Sequence, residues 1–159
     1  MSANKKPRKK YRPRPMIADP VKYVLSGFDP LARNDQVRLK IINHGALAKL
    51  NDETATRTDW DLVCAALNMA RVMAEQGLGV EYVPDIDAAM AAHASAGRRS
   101  LRWDKMRYEG TELAQVNAAI DVHDAQLDAA TVGELERAHL EVAKRIRNRH
   151  FKHRVMETA

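Results

Sequence analysis

Cys64 is the only cysteine among 159 residues, so no intrachain disulfide can form and the chain is not a disulfide-framed secreted domain. It falls inside an apolar helical stretch, where the choice is between a small buried hydrophobe and a reactive thiol. Long apolar runs are missing too. None approaches the roughly 18 residues of a transmembrane helix. The N-terminus is basic, as in a secretory signal, but Asp19, Pro20 and Lys22 interrupt the apolar segment that such a signal needs. The expectation is a cytoplasmic protein without membrane contact. There is also no Gly-x-Gly-x-x-Gly, phosphate loop, Gly-x-Ser-x-Gly, His-Glu-x-x-His or paired Cys-x-x-Cys. With none of these, the chain is expected to be non-enzymatic and to carry no cofactor.

The net charge of +5 is unevenly distributed. Seven of the ten residues from Lys5 to Arg14 are basic, in the run Lys5-Lys6-Pro7-Arg8-Lys9-Lys10-Tyr11-Arg12-Pro13-Arg14. Residues 144–159 add six more basic side chains against one acid, Glu157. Between them, residues 15–143 hold 13 basic and 20 acidic side chains, a net −7. Cationic ends are thus attached to an acidic body. A proline-stiffened cationic arm suits a polyanion better than a core. Candidate phosphate contacts are Lys5, Lys6, Arg8, Lys9, Lys10, Arg12 and Arg14, joined by Arg145, Arg147, Arg149, Lys152 and Arg154. Tyr11 and Phe151 are placed where an aromatic stacks on a base. The alternative is a pair of solubilising tails. A third basic-aromatic cluster surrounds Trp103 and Tyr108, with Trp103 also readable as a plug over the core.

The body reads as all-α. We expect a compact bundle of five to six helices in a single domain over residues 19–149, with a mobile basic arm at 1–18 and a basic tail at 150–159. Asp19 and Pro20 start a short helix that Gly27 stops, and Phe28-Asp29-Pro30 is a turn. From Asp35 to Leu50, Val37, Leu39, Ile41, Ile42, Ala46, Leu47 and Leu50 recur three and four apart. Gly45 in this pattern either permits a close helix crossing or marks a break. Thr58 is the expected cap of the next helix, with Asp59 and Asp61 in its first turn. Its two adjacent stripes, through Trp60, Val63, Leu67, Ala70 and Ala74 and through Leu62, Ala66, Met69 and Met73, place it at the centre of the core. Pro84 and Asp85 open an alanine-rich helix to about Ser95 with Ile86, Met90 and His93 on one side. Residues 97–110 are the least regular internal segment.

Two further seams follow. Leu113, Val116, Ile120, His123, Leu127 and Ala130 form one; Val132, Leu135, His139, Val142 and Ile146 form the other, behind a Thr131/Glu134 capping box. A turn near 130–131 makes them a C-terminal antiparallel helical hairpin. In that geometry His123 and His139 face one another, as a core pair, a metal site or a pH-sensitive seam. Exposed seams of this kind also pair into homodimers. Asp121, Asp124 and Asp128 read as a solvated face sooner than as an acid cluster. A helix-turn-helix reading of residues 35–76 fits poorly, because the loop is long and the second helix too apolar for a major groove.

The segments Lys9-Lys10-Tyr11-Arg12-Pro13-Arg14-Pro15, Lys40-Ile41-Ile42-Asn43-His44-Gly45-Ala46-Leu47 and Val122-His123-Asp124-Ala125-Gln126-Leu127-Asp128 together resemble small uncharacterised proteins encoded by proteobacterial temperate phages and prophages. The resemblance implies a bacterial cytoplasm and an accessory role, but assigns no functional residue. Two roles are therefore expected. One is contact with nucleic acid or a nucleoprotein complex through the basic arms, weakly dependent on sequence. The other is a protein-binding inhibitor or adaptor acting on a host defence or regulatory complex.

Overall fold

The computed structural model describes residues 27–103 and 106–150, with the side chain of Trp103 excepted. The expected helix at 19–26, the cationic run at 5–14 and the part of the C-terminal cationic stretch at 151–159 lie outside the described residues. Among the described residues five helices make up the bundle: α1 (Arg33–Asn51), α2 (Arg57–Glu75), α3 (Val83–Trp103), α4 (Gly110–Ala129) and α5 (Val132–Arg147). A 3-10 turn, Val80–Tyr82, precedes α3. Among the described residues none of the helices is long and apolar enough to cross a membrane.

α2 is the hub, packed against α1, α3, α4 and α5. Trp60, Val63, Leu67, Ala70 and Ala74 on its first stripe are all buried, as are Ala66 and Met73 on its second. Its cap is Thr56 and not Thr58. Asp59 is the residue that selects it: its N–H donates to Thr56 Oγ1 (3.4 Å), while its carboxylate accepts from the Thr56 N–H (2.8 Å) and hydroxyl (2.7 Å). Lys49 of α1 donates to the same carboxylate at 2.8 Å. These bonds, that from Lys49 foremost, hold the Asp59 pKa down to about 2 from an ordinary 3.8. A depressed carboxylate contributes stability that is complete above 3.8 and lost as pH falls through about 2. Chemical unfolding of Asp59→Asn beside the parent is therefore expected to show a stability gap at neutral pH that closes at the acid end of that window. A gap independent of pH would contradict the assignment.

Gly45 lies within α1, exposed, and a Cβ placed there meets nothing within 4 Å. Neither a close crossing nor a break explains it. Gly45→Ala should then gain about 1 kcal/mol from helix propensity alone, read as a rise in the unfolding midpoint; a loss would mean that the open space is used. Gly133 is the opposite case. Its N–H donates to Gly27 O at 2.8 Å, and a Cβ there would sit 2.6 Å from that same oxygen. Pro30 bridges Thr131 in the antiparallel sense, so the turn at residues 27–30 is stitched onto the turn that joins α4 to α5.

α3 runs on to Trp103, well past Ser95. Gly97 is buried inside it, and the Ser100 hydroxyl donates to Gly97 O at 2.7 Å. Packing outweighs the propensity cost of a mid-helix glycine. Arg99 then fastens the far end of α3 to α4 with a bidentate pair on Glu112, at 2.9 and 2.5 Å.

The C-terminal hairpin forms its turn at residues 130–131, capped by Thr131 and Glu134 as expected. Its two seams do not face each other. α5 packs instead on α2, through Leu135, Ala138 and Val142 against Met69, Val72 and Met73. Ala138 is its buried residue, whereas His139 is exposed and Ile146 is 53% exposed. The seam of α4 is as expected, with Val116, Ile120, His123, Leu127 and Ala130 buried, but it faces α1, α2 and α3.

Candidate functional site

The cationic end of α5 is the described part of the expected polyanion site. Arg145 does not belong to it. Its Nη2 donates to Glu75 at 2.5 Å and its Nε to Glu141 at 3.0 Å, tying α5 to the end of α2. Its guanidinium is neutralised within the fold and its pKa is raised, first by the bond to Glu75. Arg147 and Arg149 are exposed and make no ion pair among the described residues. Arg149 terminates the helix at φ 55°, the left-handed conformation usual just past a helix end. With Lys144 they sit at the negative end of the helix dipole, which favours cations by itself. The remaining candidates, Lys5, Lys6, Arg8, Lys9, Lys10, Tyr11, Arg12, Arg14, Lys152 and Arg154, lie outside the described residues, as does Phe151.

Elsewhere on the body many cations are matched to carboxylates, while Arg33, Arg38, Arg98, Arg102 and Arg137 are exposed and make no ion pair among the described residues. Lys40 pairs with Asp128 (2.7 Å), Lys49 with Asp59 (2.8 Å), Arg57 with Asp61 (3.0 Å), Arg71 with Asp87 (2.8 Å) and Glu75 (2.6 Å), and Arg107 with Glu53 (2.7 Å). His44 Nε2 meets Asp124 at 2.9 Å. The bonds 40–128 and 44–124 show that α1 and α4 run antiparallel. The aspartates of α4 are accordingly interhelical clamps, and only Asp121 of the three is a plain solvated acid.

The histidines separate. His123 is buried, and burial lowers its pKa. The Gln126 amide donates to Ala70 O (3.0 Å) and Leu78 O (2.8 Å), which turns its oxygen toward the Nδ1–H of His123 at 3.4 Å. His139 is exposed on α5, and the two rings share only the lining of one groove. Among the described residues no group of three or more His, Cys, Asp or Glu side chains converges on a point. Gln126 drew no attention in the sequence, although its place three residues after His123 on an otherwise apolar face was a usable signal.

That groove, of about 620 Å³, lies between α1 and α5 above α2. Leu39, Ile42, Leu62, Met69, Leu135 and Leu140 make it mainly apolar. Leu140 in its wall is 67% exposed, whereas Ile41 (66%) and Val37 (47%) lie one turn apart on the opposite, solvent-facing side of α1. The spacing grouped Val37, Ile41 and Ile42 with the other apolar residues of α1, but the helix buries apolar side chains only in its second half, through Ala46, Leu47 and Leu50.

Tyr108 also leaves the list of nucleic-acid candidates, because it is a core residue. It is 8% exposed and its hydroxyl lies 2.6 Å from His93 Nδ1. The His93 ring stacks on Trp60 at 3.7 Å between centroids. A helix-turn-helix role is not compatible with α2, whose faces are occupied by four neighbouring helices. No protein-family model matches this chain, and no curated protein and no solved structure matches it either.

Proposed function

We propose that the chain is a non-enzymatic accessory protein of the phage type, acting in a bacterial cytoplasm, whose helical body carries cationic ends to nucleic acid or a nucleoprotein complex. One contrast carries the reading. Arg145, within the last turn of α5, is neutralised by Glu75 and Glu141, whereas Arg147 and Arg149 beside it stand exposed and make no ion pair among the described residues, and the sequence that follows them, like that of residues 5–14, carries the same charge sign. Lysine and arginine on such ends bind phosphates by releasing counterions, with little base preference. Affinity for duplex DNA should fall with salt on a log–log plot. Removing residues 1–15 deletes seven cations and should flatten that slope by about 6, and Arg147→Ala with Arg149→Ala by about 2, at roughly 0.9 per phosphate. Unchanged affinity and slope after the deletion would end this reading.

A second reading has its own observation. The apolar groove, with Leu140 exposed in its wall, suits a protein partner, as in an inhibitor or adaptor of a host defence or regulatory complex. Affinity purification with and without nuclease separates the two. Partners that disappear with nuclease support nucleic-acid contact; partners that survive it, and are lost in Leu140→Asp, support the adaptor; a second copy of the chain in the eluate identifies a homodimer.

A further inference from the structure

We propose that the apolar groove between α1 and α5 is the seat of this chain's own residues 19–26, packed there as a short helix. The seating rests on neither functional reading above.

The first observation is where the described chain begins. Gly27 is the first of the described residues, and residues 19–26 precede it directly. Main-chain bonds hold this end against the start of α5 and the turn ahead of it: Gly133 N–H to Gly27 O (2.8 Å), Val132 N–H to Asp29 O (2.9 Å) and Leu31 N–H to Ala130 O (3.3 Å). The approach is close enough to select glycine at 133, where an added Cβ would stand 2.6 Å from Gly27 O and 3.3 Å from its Cα. Gly27 therefore lies on the side of α5 from which that Cβ would project. Gly133, Glu136 and Leu140 are spaced three and four apart and share that side. Glu136 and Leu140 belong to the groove wall. The chain thus arrives at Gly27 beside the mouth of the groove.

The second observation is the match between groove and segment. Leu39 and Ile42 of α1, Leu62 and Met69 of α2, and Leu135 and Leu140 of α5 line the groove, with Ile42 39% and Leu140 67% exposed. A contiguous apolar surface of this kind marks a place that another element covers. The sequence supplies such an element. Val21, Val24 and Leu25 recur three and four apart, one apolar stripe between the Asp19-Pro20 start signal and the Gly27 stop. So short a stretch does not hold a helix in water alone, and its stripe needs a face to pack on. Lengths agree as well. Residues 19–26 as a helix span about 12 Å, and Gly133 to Leu140 along α5 is about 10 Å.

Covalent attachment decides between occupants. A segment joined directly to the rim is present at an effective concentration on the order of millimolar, ahead of a second copy or a free partner. Seating also couples the two functional readings. A protein partner of the groove would have to displace the segment that carries the cationic run at 5–14.

The test uses the full chain with labelled Ile, Leu and Val methyl groups, read by NMR. Nuclear Overhauser contacts are expected from Val21, Val24 or Leu25 to Leu39, Ile42, Leu135 or Leu140, within one chain. Leu140→Asp, at an exposed position of α5, should abolish them and speed amide exchange of residues 22–26 about tenfold or more, while the Trp60 indole signal stays in place. Val24→Asp, which leaves the five helices untouched, should do the same. Absence of these contacts in the parent chain overturns the proposal and leaves the groove to a foreign partner. Contacts found only between labelled and unlabelled chains also overturn it, because they give the groove to a second copy. So does unchanged exchange of residues 22–26 in either variant.

Discussion

Replacing Trp60 with alanine is expected to cost about 3–5 kcal/mol of unfolding free energy, the range for truncating a buried aromatic. Trp60 is 4% exposed and lies where α2, α3 and the segment leading into α4 meet. The indole is the platform for His93 at 3.7 Å and a neighbour of Tyr108 at 6.2 Å, so its loss opens a void and releases the partner of a buried hydrogen bond. The same core cluster is rich in alanines, among them Ala89 and Ala96, which have no side-chain length with which to collapse into that void. Urea unfolding monitored by circular dichroism reads the effect. Val80→Ala, at a 57% exposed position, should stay within about 0.5 kcal/mol. A Trp60→Ala loss below about 1.5 kcal/mol would show that this junction is not the centre of the core.

Gln126→Leu is expected to cost about 2–4 kcal/mol, although it places a hydrophobe of similar size in an apolar surrounding. Gln126 is 4% exposed and its amide serves three groups at once: Ala70 O, Leu78 O and His123 Nδ1. Leucine leaves the loop carbonyl of Leu78 and the buried imidazole without their partners, at about 1–3 kcal/mol each. Loss should appear first in amide exchange of the turn at residues 77–79, which that bond closes onto α4. Lys40→Ala is the contrast. It removes a pair whose aspartate side chain is 58% exposed, and exposed pairs contribute about 0–1 kcal/mol. A neutral Gln126→Leu would mean that Leu78 O and His123 find other partners.

The residues separate what was legible in the sequence from what was not. The stripes of α2, the seam of α4, the turn at 130–131 and the Thr131/Glu134 cap depend on neighbours three and four residues away, and such neighbours are written in order along the chain. Thr56 and Thr58 were locally equivalent, each three residues ahead of an aspartate; Lys49, arriving from α1, favours Asp59 and with it Thr56. Of the candidate phosphate contacts, Arg145 was indistinguishable in sequence from Arg147, and only the approach of Glu75 from α2 separates them.

By itself, then, the sequence determined an all-α chain, the periodic faces of its helices, most of its helix starts and the segregation of positive charge to the ends. Tertiary structure decided which faces meet: α5 on α2 and not on α4, Tyr108 beneath His93 and not on the surface, Ile41 and Val37 outside the core. The physical reason is range. Helix formation and capping are governed by interactions within a turn, whereas the choice between apolar faces depends on shape and charge partners that lie 15 to 88 residues apart in sequence, as His93–Tyr108 and Lys40–Asp128 do.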